Sequence, residues 1–501
     1  MADFDLAIIG GGINGAGIAR DAAGRGLKVL LVEQNDLASG TSSASSKLIH
    51  GGLRYLEHGA LSLVRAALTE REVLLRAAPH LIQPLRFVLP VERSARSRIA
   101  LRLGLLLYDF IGRREILPGT RSLDLISDAA GQPLKRRFQR GFEYSDCFAD
   151  DARLVVANAI GAAEAGALIL TRTRCTRADR SDVWQLILNA RGRREVATAR
   201  VLVNAAGPWV DTVAETVLRQ ARQRQLRLDK GSHIVVPRLY DHDRAYILQA
   251  TDTRVVFAIP FERDFTLIGT TDRNFSGDPA AVAPTGEEIE YLCGVINSYF
   301  RIVIGTADVV WAFAGVRALY QDGARAPQDI GRDYTLGLDK RSGEAPLLTV
   351  YGGKLTTYRR LAEEALEKLS RFFPHSRSYS QSWTANSPLP GGNFVYDGVP
   401  ALVARAQQRW PFLAGPQIER LVRAYGTRIE KVLQGATCLE GLGENLGAGL
   451  TAAEVRYLAA NEWAQTADDV LWRRSKLGLR FSQTERRALE SFMTLRLGVR
   501  F

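Results

Sequence analysis

The sequence predicts an α/β fold that opens on a dinucleotide-binding unit and closes in an all-helical domain. Three observations predict it. Residues 5–33, "DLAIIGGGINGAGIARDAAGRGLKVLLVE", read as strand, glycine turn, helix and strand. Two later apolar runs, "RVLVNAAGPWV" at 200–210 and "LLTVYGGKLTTYRRLAEEAL" at 347–366, also break at small-residue turns. Beyond the Gly- and Pro-rich stretch "SPLPGGNFVYDGVP" at 387–400, which reads as a linker, spacing such as "QIERLVRAYGTRIEKVL" marks amphipathic helices.

The first unit is the most specific. Residues 5–9 suit a buried parallel strand, and Gly10, Gly12 and Gly15 supply the G-x-G-x-x-G turn. Glycines there let the backbone approach a pyrophosphate, which a helix N-terminus stabilises through free N–H groups and its dipole. Helical spacing runs to Gly26, and 27–32 forms the next strand. Glu33 ends that strand, where an acidic side chain accepts from a ribose hydroxyl. Nicotinamide and flavin dinucleotides share this fingerprint. The serine-rich stretch downstream separates them: "TSSASSKLIHGGLRYLEHG" at 41–59 sets a row of hydroxyls, Ser42, Ser43, Ser45 and Ser46, before Gly51 and Gly52. Such a row suits an extended flavin, with bare backbone for a flat ring. A solvated serine loop would leave Lys47, His50 and Arg54 unexplained. The turn in "NAAGPW" can abut the adenine half, and the Gly-Gly turn before Thr356 and Thr357 gives a second helix N-terminus able to face the ring. "GLGENLGAG" at 441–449 follows no strand and reads as a loop leading to a capping box at Thr451 and Glu454. No second nucleotide unit is present, so electrons are expected to enter from a substrate bound at the flavin.

Composition bounds the rest. The chain has 501 residues, 46% hydrophobic and 24% charged, enough for two or three folded domains. Its four cysteines form no CxxC pair, which argues against a disulfide framework or a metal site and suits a reducing cytoplasm. The N-terminus runs straight into a strand with no basic leader. A net charge of +12 points to nucleic acid, anionic lipid or an anionic substrate. No nucleic-acid-binding motif accompanies it, so nucleic acid is not expected. The apolar run "IALRLGLLLYDFIG" at 99–112 is too short to span a bilayer. Flanked by Arg93, Arg96, Arg98, Arg113 and Arg114, it fits a helix lying in a membrane interface or a core helix with solvated ends.

Taken together, "GGGINGAG", "SSASSKLIHGGLRYLE", "NAAGPW", "KGSHIVVP", "IGTTD", "GVR", "RDY", "YGGKLTTYR" and "LWRRSKLGL" resemble the FAD-dependent, respiratory glycerol-3-phosphate dehydrogenases. The likeness covers nearly the whole chain. It implies a Rossmann-like FAD-binding domain of the D-amino-acid-oxidase type, interleaved with an antiparallel-sheet substrate domain and followed by a helical cap. It also implies FAD as cofactor, glycerol 3-phosphate as substrate and a membrane quinone as acceptor. By motif position, cofactor contacts fall at Gly10, Gly12, Asn14, Gly15, Glu33, Thr41, Ser42, Ser45, Ser46, Lys47, Leu48, Gly51, Gly52, Ala206, Gly207, Trp209, Gly353, Lys354, Leu355, Thr356 and Thr357. Two positions depart from the family pattern: Ala318 follows "GVR" where proline is usual, and Ala206 stands where threonine is common.

The chemistry can be read beside the resemblance. Flavin oxidation of a secondary alcohol needs a base for the hydroxyl proton, and a phosphoester needs several fixed cations. Arg54, Arg317, Arg332 and Lys354 lie in the motifs beside glycine turns and strand ends, with Tyr55 and Thr270 as hydroxyl donors. Of six histidines, His50 and His233 lie in cofactor-proximal motifs; His233, with Arg317 polarising the hydroxyl, is favoured over His50. His58, His80, His242 and His375 are expected to be exposed.

The chain thus divides into a cofactor layer at 1–72, 145–213 and 342–388, a substrate layer at 73–144 and 214–341, and a helical domain at 389–501. "RVVFAIPFERDFTLIGTTD" reads as a hairpin turning at Glu262 to Asp264. A lipid-dissolved acceptor would place the protein peripherally on the inner face of the cytoplasmic membrane, on an anionic lipid surface; a homodimer is compatible with the chain. The alternatives are a glycerol-3-phosphate oxidase using oxygen, an amine or hydroxy-acid oxidase of the same fold, and a basic binding module without catalysis.

Overall fold

The computed structural model describes residues 2–53, 61–92, 95–111, 115–221, 226–252, 254–320, 334–373 and 382–497, with the backbone alone at 95–100 and 496–497. Strand β1 (Phe4–Ile9), helix α1 (Ile13–Gly24) and strand β2 (Val29–Val32) follow the predicted order. Their apolar residues are buried on both faces, as parallel strands covered by helices require. β1 lies parallel between β2 and the strand Arg193–Asn204, which in turn pairs in parallel with Leu347–Tyr351. α1 packs against the helices Asp151–Glu164 and Tyr358–Leu369. A Cβ at Gly17 would stand 2.8 Å from the Tyr358 ring, so the close approach of those two helices needs a glycine.

The second sheet is mostly antiparallel and runs from Arg273–Asn274 through Leu226–Pro237, Phe265–Gly269, Val255–Phe261, Ala245–Gln249, Ile82–Val91 and Arg140–Ala149 to Leu48–Ile49. The hairpin turns at Glu262–Asp264 as expected. Trp311–Tyr320 pairs antiparallel with Leu226–Pro237, setting Phe313 opposite His233 and Arg317 opposite Asp229.

Three strand placements differ from the boundaries drawn on sequence. Leu48–Ile49 and the whole of Arg140–Ala149 belong to the second sheet, because they pair with each other there. Thr335–Asp339 belongs to the first, as the antiparallel edge partner of Leu347–Tyr351. The stretch 387–400 is packed down rather than a free linker. Leu389 N–H donates to Ala77 O, and Arg20 donates to the carbonyls of Ser387 and Pro388.

The C-terminal domain holds helices Val399–Arg409, Gly415–Tyr425, Ile429–Leu433, Ala452–Glu462 and Gln483–Leu497 around its own core. The glycine loop there carries a short ladder, Asn445–Gly447 with Leu450–Thr451, a small departure from an all-helical domain. Thr451 caps the following helix by accepting from Glu454 N–H, but the Glu454 carboxylate turns to Arg420 and the Tyr425 hydroxyl. The capping box is therefore only half made.

Residues 99–111 of the apolar run lie in the helix Ala95–Ile111. One side buries Leu105 and Tyr108, while Leu103 (62% exposed), Leu106, Leu107 and Phe110 (80%) face outward. Among the described residues no helix is long and apolar enough to cross a membrane.

Candidate active site

A cavity of about 890 Å³ opens between the two sheets, within the upper range of small-molecule sites. Gly10, Gly12 and Asn14 line it at the α1 N-terminus, Glu33 at the end of β2, and residues 39–46 along the serine row. Gly10 has φ +116, and a Cβ there would lie 2.5 Å from Ala205 O, so this turn is closed to other residues. Gly15 stands behind the wall: its Cβ would meet Gly10 O at 2.0 Å, which seats the helix on the turn.

Glu33 accepts from Gly11 N–H at 2.7 Å and from Asn35 N–H at 2.8 Å, one bond on each oxygen. A carboxylate has about four lone-pair sites, so acceptor capacity remains for a ribose. Burial pushes this carboxyl above its ordinary pKa, against the two backbone donors.

The hydroxyl row does more scaffolding than its position suggests. Thr41 Oγ1 donates to Val316 O, Ser42 Oγ accepts from Ile13 N–H, and Ser45 Oγ donates to Asp151. Ser46 Oγ pairs with His233 Nε2 at 2.9 Å. Lys47 does not line the cavity. Its Nζ is fully buried, 2.8 Å from Asp151 and bonded to Ser43 O, with a left-handed backbone at φ 57. Lys47 thus ties the row to the start of helix Asp151–Glu164 instead of presenting a cation to a ligand. Gly52 and Thr357 also lie off the wall, whereas Leu48, His50, Gly51, Ala206, Gly207, Trp209, Gly353, Lys354, Leu355 and Thr356 line it. Asn14 Nδ2 donates to Gly352 O, joining the two glycine turns, and its buried Oδ1 has no hydrogen-bond partner among the described residues. A dinucleotide can occupy this cavity: two bare glycine turns, a helix N-terminus and, among the described residues, an unsatisfied amide oxygen of a lining side chain meet there.

Both candidate histidines line the cavity, His233 buried and His50 half-buried. Burial, then Lys47 and Arg317, lower His233 to about 3, so the ring is uncharged near neutrality. Among the described residues its Nδ1 has no hydrogen-bond partner, and its ring stacks on Phe313 at 4.9 Å. Burial also lowers His50, with Asp146 opposing. Arg317 lines the cavity and donates to Asp272 at 3.0 Å; Thr270 and Lys354 line it as well. Arg54, Tyr55 and Arg332, and also His58 and His375, lie outside the described residues.

Sequence reading misplaced two histidines away from the cavity and missed several residues at it. His80, expected at the surface, is 2% exposed beneath Phe394 and held uncharged by burial, to about 3. His242 is half-buried, 2.8 Å from the Tyr246 hydroxyl. Trp311 and Phe313 line the cavity from alternate positions of one strand, as do Asp468, Trp472 and Arg473 of the C-terminal domain. Tyr108 reaches in from behind: its oxygen accepts from Gly51 N–H at 2.8 Å, and its hydroxyl donates to Asp146, which Arg71 also holds. No local pattern marks the aromatic residues of the cavity; Tyr108, Trp311, Phe313 and Trp472 are brought in by contacts far along the chain.

Comparison with known proteins adds the lineage. A family model described as FAD dependent oxidoreductase matches residues 5–359, and one described as the C-terminal domain of alpha-glycerophosphate oxidase matches 382–496. A glycerol-3-phosphate dehydrogenase of Pseudomonas aeruginosa is 53% identical, covering 98% of this chain and 95% of its own. A D-erythritol 1-phosphate dehydrogenase of Brucella abortus is 48% identical over 97% and 96%. The crystal structure of a Bacillus halodurans glycerol-3-phosphate dehydrogenase complexed with FAD superposes with a TM-score of 0.78 at 27% identity, covering 99% of this chain and 91% of that one.

Proposed function

The chain belongs to the FAD-dependent oxidoreductase family, and from that membership we propose that it oxidises sn-glycerol 3-phosphate to dihydroxyacetone phosphate and passes the electrons to a membrane quinone. The observation that carries the reading is a convergence: two glycine turns, two uncharged histidines and the cations Arg317 and Lys354 line one cavity. Gly10, Gly12, Asn14 and Glu33 would hold the nucleotide half, and Gly51, Gly353 and Thr356 the ring end.

When bound, the flavin supplies the hydride acceptor. The rest falls to the chain. Arg317, Lys354 and Thr270 bind and orient the phosphoester, joined by Arg54, Tyr55 and Arg332 from outside the described residues. His233 takes the hydroxyl proton at Nδ1, its Nε2 being held by Ser46; His50 is the second candidate. The carbinol carbon loses a hydride, its oxygen loses a proton, and a ketone remains. The test is anaerobic addition of glycerol 3-phosphate to the flavin-loaded protein. Bleaching by the ester, with none by glycerol, supports the reading; faster bleaching by D-erythritol 1-phosphate would reassign the substrate. Oxygen uptake unaffected by a quinone analogue would reassign the acceptor to oxygen.

The outward face of helix Ala95–Ile111 supports peripheral attachment to the inner face of the cytoplasmic membrane. The arginines flanking that run, whose side chains lie outside the described residues, would each add about 1 kcal/mol on an anionic surface. Equal partitioning onto neutral and anionic vesicles at low and high salt would refute this.

A further inference from the structure

The motif "LWRRSKLGL" remains without a role in the proposed reaction. It opens in the π-helical turn Asp469–Arg474, which lays the C-terminal domain against both layers at the cavity rim. Arg473 and Arg474 both donate to the fully buried Asp36, on the loop that follows β2 and Glu33. Arg172 reaches back from the first sheet to Asp469 at 2.8 Å, and Lys476 lies 3.3 Å from Asp150, the residue that caps helix Asp151–Glu164. Trp472 sits between these anchors. A Cβ at Gly478 would stand 2.5 Å from its indole, so the glycine of the motif leaves room for the ring.

Pinned in this way, Trp472 begins a ladder of rings. Its indole stacks on Trp311 at 4.5 Å and 25°. Trp311 lies 4.5 Å from Phe313, two residues on along the same strand and therefore on the same face. Phe313 stacks on His233 at 4.9 Å and 10°. The other side of the imidazole is closed by Gly269, where an added Cβ would fall 2.0 Å from Cδ2. The charged groups acting on the ring are Lys47, Arg317 and Asp151. The Ser46 bond holds Nε2, while the Phe313 stack bears on the tilt of the ring plane, and so on the aim of Nδ1.

We infer that Trp472 is a positioning residue: through Trp311 and Phe313, the C-terminal domain sets the plane of His233 and completes the proton-accepting site. This rests on the proposed role of His233. Aromatic stacking is geometrically selective, so loss of the first ring loosens the next.

The test uses the full chain with FAD bound, as Trp472→Ala, Trp472→Phe, His233→Asn and the double variant Trp472→Ala/His233→Asn. The readouts are flavin content, near-ultraviolet circular dichroism of the paired indoles, substrate affinity, and the limiting rate of anaerobic flavin bleaching across pH. Trp472→Ala is expected to keep its flavin and substrate affinity, to lose the indole-pair signal, and to slow bleaching about 10- to 100-fold with an altered pH profile. Trp472→Phe is expected to restore most of the rate, and the double variant to be no slower than His233→Asn alone. An unchanged rate and pH profile in Trp472→Ala overturns the inference. So does a double variant slower by the product of the two single effects, which would place Trp472 elsewhere in the reaction. Should Trp472→Ala fail to fold, the rate of Trp472→Phe against Trp472→Leu decides, equality overturning the inference. A normal rate in His233→Asn instead defeats the base assignment on which it stands.

Discussion

Replacing Lys47 with Met is expected to destabilise the flavin-loaded protein by about 3–5 kcal/mol, the usual cost of leaving half of a buried ion pair alone. Lys47 and Asp151 are both 0% exposed and 2.8 Å apart. Removing the ammonium strands Asp151 with the Ser45 N–H and hydroxyl and its neighbour Lys476. The loss falls on the loop that lines the cofactor cavity, so flavin retention should weaken together with stability. Urea unfolding followed by both tryptophan and flavin fluorescence measures both at once. The double variant Lys47→Met/Asp151→Leu removes both charges and should recover much of the loss, since apolar replacement of a buried pair is often close to neutral. Burial raises the Asp151 carboxyl, but Lys47 and Lys476 outweigh it and hold the group below its ordinary value of 3.8. The stability it adds is therefore present above that value and lost as pH falls through the lower folded one. Simple additivity of the two single losses in the double variant, or unchanged flavin retention in Lys47→Met, would refute the reasoning.

Three further outcomes are expected. His233 and His80 each fall from 6.5 to about 3 through burial, so the unfolded chain binds protons that the folded one refuses. Stability should then decline as pH drops from about 6.5 toward 3, on the order of 3–5 kcal/mol per histidine at full development; His80→Asn should flatten part of that slope in acid denaturation. Tyr108→Phe leaves Gly51 N–H without its acceptor and should cost about 1–3 kcal/mol, seen as a lower unfolding midpoint and an altered flavin absorption band. Arg317→Ala should raise the KM for glycerol 3-phosphate about 10- to 100-fold, from about 1.5–3 kcal/mol for a charged hydrogen bond, while flavin content stays unchanged.

The part of the fold that is legible in the sequence is the part whose causes are local. Gly10, Gly12 and Gly15 lie within six residues, and the clash that demands Gly15, with Gly10 O, follows from the turn itself, whereas the one at Gly10 comes from Ala205 on a distant strand. The hairpin at Glu262–Asp264 and the helix starting after Thr451 are equally self-contained. The serine row is only half legible. Its composition marks the cavity wall, but Ser45 and Lys47 answer to Asp151, more than a hundred residues on, and no spacing rule reaches that far. His80 shows the same limit in reverse. Its place in a proline-flanked loop suggests exposure, yet Gly391, Phe394 and Gly426 cover it from the C-terminal domain.

Charge tells a related story. A net +12 reads as a basic surface, yet Arg71, Arg153, Arg359 and Arg474 are buried in the described residues. Each pairs with a carboxylate: Asp146, Glu462, Glu70 and Asp36 respectively. Such pairs cancel, and removing them from the count leaves the surplus undiminished: the excess of 66 basic over 54 acidic side chains must sit on groups outside these closed networks. Buried arginines therefore join the layers, Arg153 and Arg474 tying the C-terminal domain to the cofactor layer, while the uncancelled cations are left for the exterior and the cavity. A phosphoester and an anionic lipid face would draw on that same surplus. Raising salt should accordingly weaken vesicle binding more than substrate binding, because exposed charges are screened over about 10 Å at 0.1 M whereas partly buried pairs, such as those lining the cavity, are screened less.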